Sequence, residues 1–150
     1  MIKKATAYKI EKPTAADYPE LLQVWEASVR TSHHFLKEED IQVFKPLILH
    51  QYFDLLSLFY IRVDQTIAGF LGTSTDKIEM LFVHPAYHGQ QIGKQLLLYA
   101  IHELKLCLVD VNEQNEKALS YYRRFGFQVI NRSAKDGLGK PYPLLHLQLL

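Results

Sequence analysis

Apolar positions recur along this chain with two different periods, and the switch between them outlines a fold. From Thr6 to Glu11 a weak two-residue alternation predicts an opening strand, stopped by Lys12-Pro13. Thr14, with Asp17 three residues on, predicts the start of a helix whose apolar stripe is Leu21, Leu22, Trp25 and Val29. A second helical region, Glu38 to Leu56, carries Ile41, Phe44, Ile48, Tyr52 and Leu55; Pro46 is expected to kink or split it.

After Ser57 the period drops to two. Leu58 to Val63 and Ile67 to Thr73 flank Asp64-Gln65-Thr66 and read as a hairpin. Ile78 to Val83 is a third strand, ended by His84-Pro85 because proline cannot donate to a ladder. A helix follows on Ile92, Leu96, Leu97, Ala100, Ile101 and Leu104, then a strand from Leu106 to Val111. Asn115 caps a short helix that stops at Gly126, and Phe127 to Asn131 and Leu144 to Leu149 close the chain as strands. The expectation is one α/β domain over 1–150: a mixed central sheet of about six or seven strands with about four helices on both faces.

Composition narrows the function classes. The chain has 17 Lys and Arg against 16 Asp and Glu, so no strongly basic face is expected and nucleic acid is not an expected partner. Apolar residues make up 48% of the 150, which suits a soluble domain with a real core rather than a disordered chain. Neither a signal peptide nor an apolar run long enough to span a membrane is visible, and a lone cysteine cannot pair internally; the expected location is the cytoplasm. Cys107 lies in the apolar run Leu106-Cys107-Leu108-Val109 and reads as a buried core thiol. The histidines show no spacing supported by further ligands, so no metal is expected; His84 and His88 lie across a proline-containing loop. A monomer and a homodimer are both left open.

The segment from Ile78 to Leu97 is a strand, a loop with two glycines and an amphipathic helix. Unpaired N–H groups at a helix start favour an anion, and glycine allows close backbone approach. A Walker P-loop would need four residues between its glycines and a hydroxyl after the lysine. Here three residues separate Gly89 from Gly93, and Gln95 follows Lys94. The dinucleotide fingerprint G-x-G-x-x-G is absent as well. A second segment, Asn115 to Phe127, sets Asn115, Ala118 and Tyr122 along one helix: seven residues turn roughly 700°, so Asn115 and Tyr122 share a face with a small residue between them. Tyr121, roughly 100° away, is expected in the core.

These segments resemble the GNAT superfamily of N-acetyltransferases. Val83-His84-Pro85 matches that family's strand end, and His88-Gly89-Gln90-Gln91-Ile92-Gly93 its Gln/Arg-x-x-Gly-x-Gly/Ala pyrophosphate loop. His88 and Gln91 depart from it, and a side chain at Gln91 narrows the approach of the backbone. Asn115 to Phe127 is similar to the family's N-x-x-A-x-x-x-Y-x-x-x-G-F segment. The resemblance covers Tyr60 to Asn131. Ser32-His33-His34-Phe35-Leu36, Val111 to Asn115 and Leu138 to Leu145 add a similarity to the small bacterial YjaB-type branch. In that branch a histidine aligns with Lys77, so any role of that imidazole does not carry over.

The resemblance implies direct acetyl transfer from acetyl-CoA, as cosubstrate, to a primary amine. The main chain of Leu81, Phe82 and Val83, the loop His88 to Gly93, Lys94 and Asn115 would hold the cofactor. Tyr122 would be the general acid and Glu79 the candidate base. Trp25, His33 and Tyr142, with His34 and Phe35, would line the acceptor pocket. A lysine-like amine with pKa ≈ 10.4 costs about 4–5 kcal/mol to deprotonate at pH 7, so that acceptor needs a base more than an α-amine does. The alternation Glu79, Leu81, Val83 against Ile78, Met80, Phe82 is expected to put Glu79 on a definite face. The rival readings are an acyl-CoA sensor with this fold, an acetylase of aminoacyl-tRNA, and a nucleotide-triphosphate enzyme that the failed P-loop disfavours.

Overall fold

The computed structural model describes residues 7–150, so Thr6 of the expected first strand lies outside them. Strand β1 is the short Ile10–Glu11. A 3₁₀ turn, Ala15–Asp17, precedes α1 (Tyr18–Ser32), so the helix begins later than Thr14 predicts. The capping residues still act, because Thr14 N–H donates to the Asp17 carboxylate at 2.9 Å.

The region around Pro46 divides as expected. Helix α2 (Glu38–Leu47) runs into a π-helical turn, Ile48–Tyr52, and one α-turn, α3 (Phe53–Leu55). The wider π turn shifts the register that a 3.6-residue period extrapolates. Phe53 therefore enters the core at 0% exposure, while Leu55, expected on the apolar stripe, is 78% exposed.

Strands β2 (Ser57–Val63) and β3 (Thr66–Thr73) form the expected hairpin. Asp64 and Gln65 both take positive φ, 50° and 68°, which matches the twist of a tight antiparallel turn. Strand β4 (Lys77–Val83), helix α4 (Ile92–His102), strand β5 (Leu108–Asn112), helix α5 (Glu116–Arg124) and strands β6 (Phe127–Ser133) and β7 (Leu144–Leu149) complete the chain. The sheet has seven strands in the order β1-β2-β3-β4-β5-β7-β6, all antiparallel neighbours except β4 and β5. Strand β5 starts two residues later than expected, leaving Cys107 before it and half-buried rather than in the core.

Two apolar layers cover the sheet. One face, with Ile61, Leu71, Ile78, Val109 and Leu147, packs on Ile92, Leu96, Leu97 and Ala100 of α4 and on Tyr122 of α5. The other, with Tyr60, Ile67 and Phe70, packs on Leu21, Val24, Trp25 and Val29 of α1 and on Ile41, Ile48 and Phe53. The alternation expected along β4 does not hold. Gly72 faces Met80 and Thr73 faces Ile78, so Glu79 is an extra residue in β4, a bulge. Ile78 consequently shares the α4 face with Leu81 and Val83, while Met80 and Phe82 face α1.

Gly69 of β3 is where α4 approaches the sheet most closely. A Cβ there would sit 2.8 Å from Ile92 Cγ2 and 3.0 Å from the Phe82 carbonyl oxygen. Gly69→Ala is therefore expected to lower the unfolding free energy by about 1–3 kcal/mol, because Ile92 opens α4 and a backbone oxygen cannot retreat. A urea titration checks this, and an unchanged midpoint would show that the helix start shifts freely.

Candidate active site

The site grows out of a gap in the sheet. Strands β4 and β5 pair only at Lys77↔Leu108 and Ile78↔Val109; beyond them the Glu79 bulge turns β4 aside and the strands part. The edge of β4 from Glu79 onward thus loses its neighbour, and a cleft opens under α4 and α5. It has a volume of about 560 Å³. A second cavity of about 280 Å³ fills the splay itself, between Glu79–Phe82 and Val109–Asn112, with Tyr122 on its wall. A third, about 210 Å³, lies on the α1 side among Trp25, Val29, Phe44, Met80, Phe82 and Tyr142.

The cleft has the character of an anion site at one end. Gln95 N–H makes the first intrahelical bond of α4, to the Gln91 carbonyl at 3.0 Å. The N–H groups of Ile92, Gly93 and Lys94 therefore have no partner within the helix, and the helix dipole adds positive potential there. Gly89 takes φ 80°, and Gln91 is left-handed at φ 68°, a conformation that favours glycine, which explains why glycine is the expected residue at that position. Gly93 lets α4 lie on β4, since a Cβ there would be 3.3 Å from Val83 Cγ2. Lys94, Lys117 and Arg124 bring three cations to the cleft wall. Lys117 and Arg124 were not foreseen, although their seven-residue spacing puts them on one face of α5.

A family model described as an acetyltransferase (GNAT) domain matches residues 56–129. The peptidyl-lysine N-acetyltransferase YjaB of Salmonella typhimurium is 35% identical over 128 residues, covering 85% of this chain and 88% of that protein. The Escherichia coli protein of the same name is 36% identical over 131 residues, covering 85% and 87%. The chain belongs to the GNAT acetyltransferases. The solution structure of apo YjaB from Escherichia coli superposes with a TM-score of 0.86 at 31% identity, over 97% of this chain and 99% of that one. The PaiA N-acetyltransferase of Thermoplasma acidophilum, solved in complex with coenzyme A, shares the fold at TM-score 0.74 and 20% identity over 97% and 100%. As a GNAT enzyme the chain is an N-acetyltransferase with acetyl-CoA as cosubstrate. Among the described residues no cluster of metal ligands occurs, and no helix is long and apolar enough to cross a membrane.

The residues singled out in this GNAT sequence fall as follows. Leu81, Phe82, Val83, His88, Gly89, Gln91, Ile92, Gly93, Lys94 and Asn115 all line the cleft. Gln90 does not; it is exposed at the outside of the loop. Tyr122 lines both cleft and splay, packed edge-on against Phe127. Burial, and then the neighbouring Tyr121, push its phenol pKa up, so it stays protonated. Tyr121, expected in the core, also lines the cleft, because it spans from α5 to the start of α4. Glu79 is exposed, accepts from the Ser74 hydroxyl at 2.8 Å, and lines the splay and the apolar pocket. Trp25 and Tyr142 are on the apolar pocket's wall, and Asp136 joins Glu79 there. Tyr142 is also a pin: its hydroxyl donates to Asp40, which pairs with Lys140 at 2.8 Å, and Lys140 and Tyr142 together hold the Asp40 pKa down. Lys77 donates to Asp110 at 3.0 Å, and His146 and Ser133 extend that polar row across β7 to β6. His34 lines none of the three cavities and is exposed.

His33 alone of the foreseen acceptor residues borders all three cavities. Its ring lies 5.2 Å from Phe35 and 6.4 Å from Phe82, centroid to centroid. Burial, then repulsion from His34, lower its pKa from 6.5 to about 4. The unfolded chain takes up this proton near pH 6.5 and the folded chain only near pH 4, so the stability is complete above the upper value and drains as pH falls between them. A loss of up to about 3 kcal/mol is expected across that window. Urea titrations of wild type and His33→Gln at several pH values check it; equal slopes in both would assign the acid loss to other groups.

Proposed function

We propose that this enzyme acetylates the side-chain amine of lysine in a protein or peptide, in the cytoplasm. The reading is supported by an apolar pocket suited to methylene groups that shares Glu79 with the splay, whose lining also includes Tyr122. Two relatives that match over 85% of this chain carry the name peptidyl-lysine N-acetyltransferase.

In this reading the pyrophosphate of acetyl-CoA lies at the start of α4, with Lys94, Lys117 and Arg124 facing its phosphates. The pantetheine arm follows the unpaired edge of β4 at Leu81 to Val83, whose N–H groups polarise the thioester carbonyl. The lysine ammonium enters from the apolar pocket and loses a proton toward Glu79, directly or through water. Its nitrogen then attacks the carbonyl carbon, the C–S bond breaks, and the departing thiolate takes the proton of Tyr122. As the adduct collapses its nitrogen gives up a second proton, which restores the Tyr122 phenol, while the proton taken by Glu79 passes to solvent, so one proton is released for each acetyl group transferred.

Acetyl-CoA with a lysine peptide, the same peptide blocked at lysine, an unblocked α-amine and a polyamine, followed by free thiol, tests the acceptor. Release with the lysine peptide alone is the expected result, and release only with the polyamine would overturn the reading. Tyr122→Phe should lower kcat about 10²-fold and leave the KM for acetyl-CoA within a few-fold; full kcat in this variant would remove Tyr122 from the acid role. Glu79→Gln should lower kcat/KM about 10²-fold at pH 7, with a defect that shrinks as pH climbs toward the amine's own pKa of about 10.4. A defect that stays constant over that range would make Glu79 a binding group instead.

A further inference from the structure

Every hydrogen in the chain of groups around His33 can be assigned, and the assignment is the same from both ends. At one end Ser32 Oγ lies 2.8 Å from the Ser28 carbonyl, which only accepts. The one hydroxyl proton is therefore used there, and the 2.7 Å contact between Ser32 Oγ and His33 Nδ1 must be a donation from Nδ1–H. At the other end Ala118 N–H donates to Asn115 Oδ1 at 3.2 Å, fixing which end of the amide is oxygen. Asn115 Nδ2, 3.4 Å from His33 Nε2, is then a donor and Nε2 carries a bare lone pair. An imidazolium would set two donors against each other at Asn115, so geometry and burial both keep the ring neutral.

The Nε2–Asn115 contact lies on the shared border of the cleft and the splay cavity. His33 follows the last turn of α1, Asn115 caps α5, and both line the cleft and the splay cavity. At 3.4 Å the bond is long, and it is the one link of the chain with a cavity on each side. We propose that His33 is a positioning residue for the acceptor: when acetyl-CoA draws the Asn115 amide away, the freed Nε2 lone pair receives an N–H of the incoming amine and aims it into the splay. This rests on the acyl-transfer reading given above. An imidazole this weakly basic orients a donor without taking its proton, which leaves deprotonation to the Glu79 side. Phe35 and Phe82 lie beside the ring, and its Nδ1 contact to Ser32 orients it.

Two measurements test this. The ¹⁵N-resolved imidazole spectrum of the whole protein should show His33 as the neutral Nδ1–H tautomer between about pH 5 and 8, and coenzyme A alone should shift Nε2. An Nε2–H tautomer, titration inside that range, or no response to coenzyme A each overturns the proposal. This reading needs no acceptor and no turnover, so it stands or falls apart from the choice of lysine as substrate. In kinetics, His33→Ala should raise the acceptor KM about tenfold or more, with the dissociation constant of coenzyme A within about twofold. His33→Gln, whose carbonyl can accept an N–H, should recover part of that loss. A wild-type acceptor KM in His33→Ala, or a loss that falls on coenzyme A instead, would make the ring a packing residue.

Discussion

The separation of β4 from β5 after two paired positions is the constraint from which the site follows. A parallel pair that continued would satisfy the backbone of β4 with β5 and leave no space between them. Instead the extra residue at Glu79 bends β4 one position past its last pair, and the sheet forks while its other neighbours stay hydrogen-bonded. Both sides of the fork remain anchored: β4 to β3 from Gly69↔Val83 to Thr73↔Ile78, and β5 to β7 along its whole length. A cavity that would cost packing energy in a closed sheet is thus framed by elements that are stable without it.

What lies across the fork differs on its two faces. On the α4 side Ile92, Leu96 and Tyr122 close the gap with buried apolar groups, and the α4 start supplies donors at its end. On the α1 side a few polar pins join the apolar layer around Trp25 and Val29. Tyr142 and Lys140, from the segment between β6 and β7, reach Asp40 at the start of α2, and His33 reaches Asn115. These pins join parts of the chain far apart in sequence, and the buried pair Asp40 and Tyr142 are each other's partners, as buried polar groups require. The α1 side of the fork thus carries polar links between distant segments, and the α4 side buried apolar groups.

The parts legible in the sequence were those encoded locally. The Asn115 to Tyr122 face follows from helix period alone, and the cleft residues from Leu81 to Lys94 follow from one strand-loop-helix run. Gln91 stands out in the sequence as a side chain where the family has glycine, and its backbone takes the left-handed conformation that glycine adopts freely. Two departures from periodicity share a cause, an inserted residue. A bulge at Glu79 broke the strict alternation expected of β4, and a π turn at Ile48–Tyr52 sent Leu55 outward. Periodicity carries no mark of either insertion. The row Lys77, Asp110, His146 and Ser133 was invisible for another reason: each member sits on a different strand, and only the sheet order makes them neighbours.

Charge is sorted across the same fork. Lys94, Lys117 and Arg124 line the cleft under α4, whereas Glu79 and Asp136 line the pocket on the α1 side. Asp110, which also borders the splay, is already matched by Lys77 and His146, and Asp136 Oδ1 accepts the N–H groups of Leu138 and Lys140. Glu79 accepts from the neutral Ser74 hydroxyl. An anionic cofactor and a cationic amine are thus each favoured on one side and disfavoured on the other. The chain has nearly balanced totals of charge, and it is the placement of those charges about the β4–β5 gap, rather than their sum, that gives its two sides opposite character.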